Sequence, residues 1–135
     1  MYTHSTKIRV RYGETDQMGY VYYGNYAEYY EVGRVEMLRS LGMSYSTMER
    51  DGVMLPVLEM NCKFIKPALY DQELTIVTSV SELPGVRIRF EYEIFNETGD
   101  LINTGNATLV FIDMEKNKPC PAPADFMERL RQHFN

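Results

Sequence analysis

A single long helical pattern, set among strand patterns, constrains the fold of this chain more than any other feature. From about Gly24 to Leu41 the aromatic and apolar residues form one stripe at helical spacing, made of Tyr26, Tyr29, Tyr30, Gly33, Met37 and Leu41. One strand pattern precedes this helix, at 4–12, and four follow it, at 54–65, 73–80, 86–95 and 101–113. This order predicts an α+β fold in which the helix packs on one face of a five-stranded antiparallel sheet.

Individual residues refine this prediction. Gly33 lies on the apolar stripe although glycine weakens a helix interior by roughly 1 kcal/mol relative to alanine, so it predicts a close approach of the helix to another layer. Gly42 is the predicted C-terminal stop of the helix. In the first strand, Ile8, Val10 and Tyr12 are predicted to share one face. Short helices are predicted at 44–51 and near the C-terminus.

Length, charge and composition limit the class of protein. The chain of 135 residues is long enough for one domain, which we expect to span 1–135. A formal net charge of −5 argues against nucleic acid as a partner, because no cationic surplus exists to neutralise phosphates. No apolar run has the length of a signal-peptide core or a membrane span, so we expect a cytoplasmic protein without stable membrane insertion. Cys62 and Cys120 have no metal-like spacing, which predicts two ordinary thiols and no metal site.

Several kinds of catalytic site have no counterpart in the sequence. His4 and His133 lie near the two termini, which argues against a histidine-based triad or a multi-histidine metal site. The residues around Ser44 and Ser46 lack the G-x-S-x-G nucleophile elbow. There is also no P-loop and no G-x-G-x-x-G phosphate loop. Carboxylate chemistry is therefore the chemistry that the chain offers.

The segment 11–30, RYGETDQMGYVYYGNYAEYY, places Asp16 in a glycine-punctuated turn immediately before the predicted helix. A carboxylate in this position can activate water or attack an acyl group directly. The unpaired N–H groups of the first helical turn can hold the oxyanion that develops. An Asx-turn, in which Asp16 bonds only to its own backbone, is the structural alternative.

Two other carboxylates compete with Asp16 for the catalytic assignment. Glu14 lies two residues earlier in the chain, and we expect it to face solvent. Glu31 lies on the helix, where a pairing with its neighbour Arg34 is the simpler explanation. We expect the tyrosines of the helical stripe to pack in the core rather than to form a substrate platform.

The segment from Tyr12 to Tyr26, YGETDQMGYVYYGNY, resembles the signature of the 4-hydroxybenzoyl-CoA thioesterase group of hotdog-fold proteins. That group includes the acyl-CoA thioesterases of the bacterial Tol–Pal gene cluster. The resemblance covers nearly the whole chain to about residue 115, with further agreement in 30–31, 34–39, 55–57 and 64–71. It implies a hotdog fold, in which a five-stranded antiparallel sheet wraps around one long helix.

The resemblance also implies roles for individual residues. Asp16 takes the place of the catalytic carboxylate, and the backbone N–H of Tyr23 takes the place of the group that polarises the thioester carbonyl. The substrate-binding residues implied in the same way are Tyr22, Gly24, Asn25, Tyr26, Glu31, Arg87 and Arg89.

The chain departs from the family pattern at three places. Glu14 stands where an aspartate is often found, and Tyr23 stands where some members carry a histidine, so no imidazole acts there. Pro84 and Val86 occupy the turn that carries CoA-binding cations in the 4-hydroxybenzoyl enzyme. The cations left as candidates for CoA binding are Arg87, Arg89, Lys63 and Lys66.

The predicted function is hydrolysis of an acyl-CoA, or of an acyl carrier protein thioester, to the free acid and the thiol. Asp16 acts either as a general base toward water or as a nucleophile that forms a mixed anhydride. No cofactor is expected, since CoA is part of the substrate. An unpaired sheet edge and the resemblance together predict a homodimer or a dimer-of-dimers tetramer.

Two alternatives to this function remain. The first is a non-catalytic dimeric hotdog module that binds acyl thioesters without turnover. The second is a hotdog dehydratase or hydratase, which is less favoured because those enzymes depend on a histidine.

Overall fold

The computed structural model describes all residues from 1 to 135. It contains three α-helices and eight β-strands, with short 3₁₀ turns at Tyr12–Glu14 and Tyr23–Asn25. The helices are α1 (Tyr26–Ser40), α2 (Tyr45–Arg50) and α3 (Ala124–Arg131). The strands are β1 (Tyr2–Arg9), β2 (Val53–Met54), β3 (Val57–Phe64), β4 (Glu73–Val80), β5 (Arg87–Phe95), β6 (Leu101–Val110), β7 (Ile112–Asp113) and β8 (Lys118–Pro119). None of the helices combines the length and hydropathy of a membrane span.

Five of the strands form one antiparallel sheet in the order β1-β4-β5-β6-β3. The turn between β5 and β6 is closed by the Asn96 side chain, which accepts hydrogen bonds from the N–H groups of Thr98 and Asp100. Strands β2, β7 and β8 form a second, three-stranded sheet. The predicted five-stranded antiparallel sheet is therefore confirmed.

Helix α1 lies across one face of the large sheet and contacts β1, β4 and β5. Its predicted stripe faces the sheet, since Tyr26, Tyr29, Tyr30, Gly33, Met37 and the following Leu41 are all buried. The ring of Tyr30 stacks on that of Tyr92 in β5, with centroids 4.2 Å apart. The predicted packing of the helix on the sheet is confirmed, and the tyrosine stripe is part of the core.

Strand β5 shows how the sequence defines the two faces of the sheet. Its alternate residues Ile88, Phe90, Tyr92 and Ile94 are buried beneath α1, whereas Arg87, Arg89, Glu91 and Glu93 are exposed. Because successive side chains of a strand point to opposite faces, this alternation gives one apolar face and one polar face.

Three element boundaries differ from the sequence prediction. Strand β1 ends at Arg9 because the chain then enters the 3₁₀ turn Tyr12–Glu14, so Val10 is buried as expected but Tyr12 is 78% exposed. The predicted strand 54–65 is divided at Pro56, which has no N–H to continue a ladder. The predicted strand 101–113 is divided at Phe111, whose N–H donates to the carbonyl of Val86.

Strand β3 forms an exposed edge of the large sheet. It pairs only with β6, and its apolar residues Val57, Leu58, Met60 and Phe64 are between 41% and 53% exposed. Folded proteins usually cover an edge strand that carries apolar side chains. The edge of β3 is therefore a surface suited to contact with another chain.

Candidate active site

Asp16 lies in a tight loop between the first 3₁₀ turn and α1. Its backbone N–H donates to the carbonyl of Tyr20 at 2.8 Å, and Gly19 closes the loop with φ of +81°, a conformation that glycine adopts without strain. Its side-chain Oδ1 accepts from the N–H groups of Met18, at 2.9 Å, and Tyr20, at 3.2 Å. The bonding of the Asp16 side chain to its own loop, predicted as the alternative to a catalytic role, is thus present, but it uses Oδ1 only. Oδ2 has no hydrogen-bond partner in the protein, so it is free to take a proton or to attack a carbonyl carbon.

The N-terminal entrance of α1 carries unpaired backbone donors. Tyr22 is extended, and the 3₁₀ turn Tyr23–Asn25 leads directly into α1. The carbonyl of Tyr22 accepts the N–H of Asn25 at 2.9 Å, whereas the N–H groups of Tyr23 and Gly24 have no acceptor within the chain. Free N–H groups at the positive end of a helix dipole suit a developing oxyanion.

Asp16 and Tyr23 line the same cleft, which has a volume of about 310 Å³. The other lining residues are Met18, Tyr20, Val21, Tyr26, Phe64, Ile65, Lys66 and Pro67. The rings of Tyr26 and Phe64 meet edge to face, with centroids 5.2 Å apart. The cleft therefore offers an apolar, aromatic wall beside a carboxylate with one free oxygen and beside Tyr23, whose backbone N–H is unpaired.

Tyr22, Gly24 and Asn25 adjoin this cleft without lining it. The ring of Tyr22 packs on the ring of Tyr23, with centroids 4.6 Å apart. It also fills the space that a side chain at Gly24 would need, since an added Cβ would lie 2.8 Å from Tyr22 Cε2. Asn25 Nδ2 donates to the carbonyl of Glu14 at 2.8 Å. These three residues shape and hold the entrance of the helix.

Glu31 is exposed on α1 and does not line the cleft. It forms no ion pair with Arg34, so the expected pairing of the two residues is wrong. Arg34 lies four positions after Tyr30 and shares the buried stripe, where it donates to the hydroxyls of Tyr45, at 2.9 Å, and Tyr92, at 3.4 Å. Burial raises the pKa of Tyr92 to about 12, so its hydroxyl remains protonated beside the guanidinium.

Arg87 and Arg89 line a separate polar cavity of about 420 Å³, which shares no residue with the Asp16 cleft. Glu82 and Glu91 also line this cavity, and Arg89 Nε lies 3.7 Å from Glu91 Oε1. The structure thus does not bring the two arginines to the wall that would hold an acyl group. CoA carries its phosphates at the far end of a long pantetheine arm. Residues that bind these phosphates therefore need not lie beside the thioester.

The cleft also includes residues that the sequence assignment of the site missed, namely Met18, Tyr20, Val21, Ile65, Phe64 and Pro67. The chain after β3 reaches the site because the N–H groups of Ile65 and Lys66 both donate to the carbonyl of Ile102, at 2.9 Å and 3.1 Å. The agreement of 64–71 with the family pattern was the one sequence signal for this second wall. Lys66 is the cation of the cleft, and its Nζ lies 3.4 Å from Asp100 Oδ2.

Glu14 is buried, with only 9% of its surface exposed, so the expectation that it faces solvent is wrong. Its carboxylate accepts hydrogen bonds from the Arg11 N–H at 2.8 Å, from Arg11 Nη2 at 3.0 Å and from the Tyr29 hydroxyl at 3.0 Å. Burial acts to raise the pKa of Glu14, but the hydrogen bonds outweigh burial and hold the pKa below its ordinary value. The 3₁₀ turn that buries Glu14 has no periodic pattern from which the sequence could predict it.

The chain matches the model of the thioesterase-like superfamily over residues 10–130. It is 37% identical over 119 residues to the putative acyl-CoA thioesterase YneP of Bacillus subtilis, covering 88% of this chain and 86% of that protein. It is 31% identical over 125 residues to the acyl-CoA thioester hydrolase YbgC of Escherichia coli, covering 93% of each. Among solved structures, the DHNA-CoA thioesterase from Staphylococcus aureus has a TM-score of 0.93 at 36% identity, covering 98% of this chain and 91% of that one.

A five-stranded antiparallel sheet packed on one long helix is the architecture of the hotdog-fold thioesterases that the chain matches in sequence and in structure. The chain belongs to the thioesterase-like superfamily. The resemblance to hotdog-fold acyl-CoA thioesterases that the sequence indicated is confirmed.

Proposed function

We propose that this acyl-CoA thioesterase hydrolyses an aromatic acyl-CoA, with Asp16 as the reacting carboxylate and the Tyr23 N–H as the oxyanion donor. One observation carries the proposal: Asp16, with its free Oδ2, and Tyr23, with its free N–H, line one apolar cleft. This pairing supplies both functions that acyl transfer requires, a proton acceptor or nucleophile and a stabiliser of negative charge.

In the proposed reaction the thioester carbonyl accepts a hydrogen bond from the Tyr23 N–H, and the acyl group lies against Tyr26 and Phe64. Asp16 Oδ2 takes a proton from a water molecule while the water oxygen attacks the carbonyl carbon. The tetrahedral intermediate carries its negative charge on the former carbonyl oxygen, which the donors at the helix entrance stabilise. Its collapse breaks the C–S bond, and the departing CoA thiolate takes up the proton that Asp16 had accepted from water, which restores the carboxylate.

The free Oδ2 also permits direct attack by Asp16 on the carbonyl carbon. That route releases CoA thiolate first and leaves a mixed anhydride, which water then hydrolyses to the acid and the regenerated carboxylate. Pre-steady-state measurement of both products distinguishes this route from attack by water. Direct attack by Asp16 gives a burst of CoA before the free acid is released. Neither route uses a metal or a redox cofactor, because Asp16 or water is the attacking group and hydrolysis of a thioester changes no oxidation state.

The aromatic character of the acyl group is inferred from the walls of the cleft. Tyr20, Tyr23, Tyr26 and Phe64 supply four rings around a volume of about 310 Å³. Such a volume lies at the lower end of the roughly 300–1,000 Å³ found for small-molecule sites, which favours a compact acyl group. The Staphylococcus aureus protein is named for DHNA-CoA, a 1,4-dihydroxy-2-naphthoyl thioester, and this supports an acyl group with fused rings.

The proposed active form is a homodimer, or a tetramer of two such dimers, joined along the edge of β3. The apolar side chains exposed on that strand support this assembly.

Arg87 and Arg89 are proposed to bind the phosphates of CoA. The cytoplasm is the proposed location of the protein, because acyl-CoA thioesters are available there.

Steady-state hydrolysis of short, long and aromatic acyl-CoAs, together with acyl carrier protein thioesters, tests the proposed function. We expect the highest kcat/KM with aromatic acyl-CoAs. Asp16→Asn should lower kcat by about 10²–10⁴-fold, the usual contribution of a positioned base, without weakening thioester affinity. Glu31→Gln is the matched control, because it makes the same change of a carboxylate to an amide on the exposed face of α1, and its kcat should stay within about twofold of wild type.

Other outcomes of this experiment would overturn the proposal. Binding of acyl thioesters without turnover of any of them would support a non-catalytic module instead. Normal turnover by Asp16→Asn, with loss of turnover in Glu31→Gln and circular dichroism showing that both are folded, would assign the chemistry to Glu31.

A further inference from the structure

Glu14 connects the two halves of the proposed site through five hydrogen bonds. Its carboxylate accepts from the Arg11 N–H, from the Arg11 guanidinium and from the Tyr29 hydroxyl. Its backbone carbonyl accepts from the Tyr22 N–H and from Asn25 Nδ2, both at 2.8 Å. One residue thus joins Arg11, just after the first strand, to the long helix and to the segment that carries the proposed oxyanion donor.

The two bonds to the carbonyl of Glu14 bracket the free N–H groups of the helix entrance. Tyr22 directly precedes Tyr23 and Gly24, and Asn25 directly follows them. Glu14 therefore holds this short segment on both sides, while the N–H groups between remain unpaired. A shift of the Glu14 backbone would displace the proposed oxyanion donor.

Glu14 also determines where Asp16 lies, because only Thr15 separates the two residues. Thr15 forms a bridge with Val21, and its hydroxyl donates to the carbonyl of Tyr12 at 2.8 Å. These contacts leave little freedom between Glu14 and the carboxylate two positions later. The separation of Asp16 from the N–H of Tyr23 therefore depends on the placement of Glu14.

The side chain of Glu14 is itself anchored to α1. Tyr29 is the fourth residue of that helix, it is buried, and its hydroxyl lies 3.0 Å from Glu14 Oε1. Burial raises the pKa of Tyr29, and the adjacent carboxylate raises it further, so the phenol remains a hydrogen-bond donor. The rigid helix thus holds the loop that carries the reacting carboxylate.

We propose that Glu14, held by Tyr29, is a positioning residue that sets the distance between Asp16 and the oxyanion donor at Tyr23. This inference rests on the proposed function. A displaced pair raises the barrier of the chemical step, because reacting groups must meet at near-contact distance. The walls that bind the acyl group, such as Tyr26 and Phe64, do not bond to Glu14, so substrate binding should be little changed.

Glu14→Gln and Tyr29→Phe test this role with the full-length protein. Each should lower kcat by about 10-fold for the best acyl-CoA, with KM within about twofold of wild type. The double variant should lose no more than the stronger single variant, because both changes break one connection. Tyr45→Phe is the matched control: it also removes one hydrogen-bonded hydroxyl, in a partly buried position, but that hydroxyl bonds to Arg34 and not to Glu14.

Thermal unfolding of every variant separates a positioning role from a structural one. If the melting temperature of Tyr45→Phe falls as far as that of Tyr29→Phe while its kcat stays at the wild-type value, the loss in Tyr29→Phe is one of positioning. Equal loss of kcat in both tyrosine variants would overturn the inference. A wild-type kcat in Tyr29→Phe would also overturn the inference. This result decides the question even if Glu14→Gln does not fold.

Asp16→Asn, assayed in parallel, keeps the two proposals apart. If Asp16→Asn is inactive and Tyr29→Phe has wild-type kcat, only the positioning role of Glu14 fails. If Asp16→Asn is fully active, the proposed function of Asp16 fails, and the positioning role fails with it.

Discussion

Gly33 of α1 lies directly against Thr78 of β4. A Cβ atom added at Gly33 would overlap Thr78 Oγ1 and would lie 2.9 Å from Ile76 Cγ2. Thr78 and Ile76 are fully buried, so neither can turn aside into solvent. The close approach of helix and sheet that the sequence predicted at Gly33 is therefore confirmed.

Overpacking of the core by Gly33→Ala should cost about 1–3 kcal/mol of the free energy of unfolding. Alanine returns roughly 1 kcal/mol in a helix interior, so the net loss should be about 0–2 kcal/mol. Urea unfolding followed by circular dichroism measures the difference.

Ala27 provides the control for this substitution, because it is exposed on the same helix. Ala27→Gly should destabilise the protein by at most about 0.5–1 kcal/mol through helix propensity alone, because Ala27 lies in the first turn of α1. If Gly33→Ala instead stabilised the protein by a similar amount, the contact with Thr78 would not limit the approach of the helix.

The parts of the fold that the sequence predicted are those in which one periodicity runs through a whole element. Strand β5 alternates without a break, and the stripe of α1 keeps its spacing from Tyr26 to Met37, so burial on one side identifies both. Element ends follow a different rule. The alternation of Ile8 and Val10 continues to Tyr12, but β1 ends at Arg9 and the chain bends at the 3₁₀ turn Tyr12–Glu14. The Glu14 carboxylate closes that turn by accepting the N–H of Arg11.

The site was predictable only where its residues are close in sequence. The turn at Asp16 and the helix entrance at Tyr23 lie within eight residues of each other, and the sequence indicated both. The opposite wall at Phe64 comes from a distant strand, so only the agreement of 64–71 with the family pattern indicated it, and no local pattern showed that Phe64 meets Tyr26. The burial of Glu14 was also missed, since its partners Arg11 and Tyr29 stabilise a charge that would otherwise remain in solvent.

The positive charges of Arg87 and Arg89 should bind the phosphates of CoA at a place distant from the reacting carbonyl. The double variant Arg87→Gln and Arg89→Gln should raise KM by about three- to tenfold and weaken the salt dependence of KM, with kcat little changed. The physical reason is that the overall charge of the protein is negative, so attraction for phosphates must be local. Initial rates at low and high ionic strength measure both effects.

Lys66→Met is the comparison for these arginines, because Lys66 lines the Asp16 cleft itself. If KM rises for Lys66→Met and not for the arginine variant, the phosphates lie beside the cleft instead. An unaltered KM in both variants would exclude both sets of cations from CoA binding.

A charge placed on the edge of β3 should prevent dimer formation. Met60→Glu puts a carboxylate among exposed apolar side chains of that strand, and pairing of two such edges would bring like charges together and bury them. We expect a monomer with reduced kcat/KM, measured by light scattering at micromolar concentration and by hydrolysis of the same sample. Ser5→Glu is the control on β1, at the opposite edge, and should remain a dimer. A wild-type protein that is monomeric and active at this concentration would contradict the proposed assembly.

The carboxylate of Glu14 should make the stability of the fold depend on pH in the acid range. Burial favours its neutral form, but the hydrogen bonds from Arg11 and Tyr29 favour the charged form more strongly, so the pKa in the folded protein lies below the ordinary value of 4.5. A group with a lower pKa in the folded state contributes stability above its unfolded pKa and loses it as the pH falls through its folded pKa. The melting temperature of wild type should therefore fall more steeply below about pH 4.5 than that of Glu14→Gln, which cannot titrate at this position. Tyr29→Phe should lie between the two, because it removes one of the bonds that favour the charged form. Parallel curves for wild type and Glu14→Gln would show that these hydrogen bonds do not stabilise the charge.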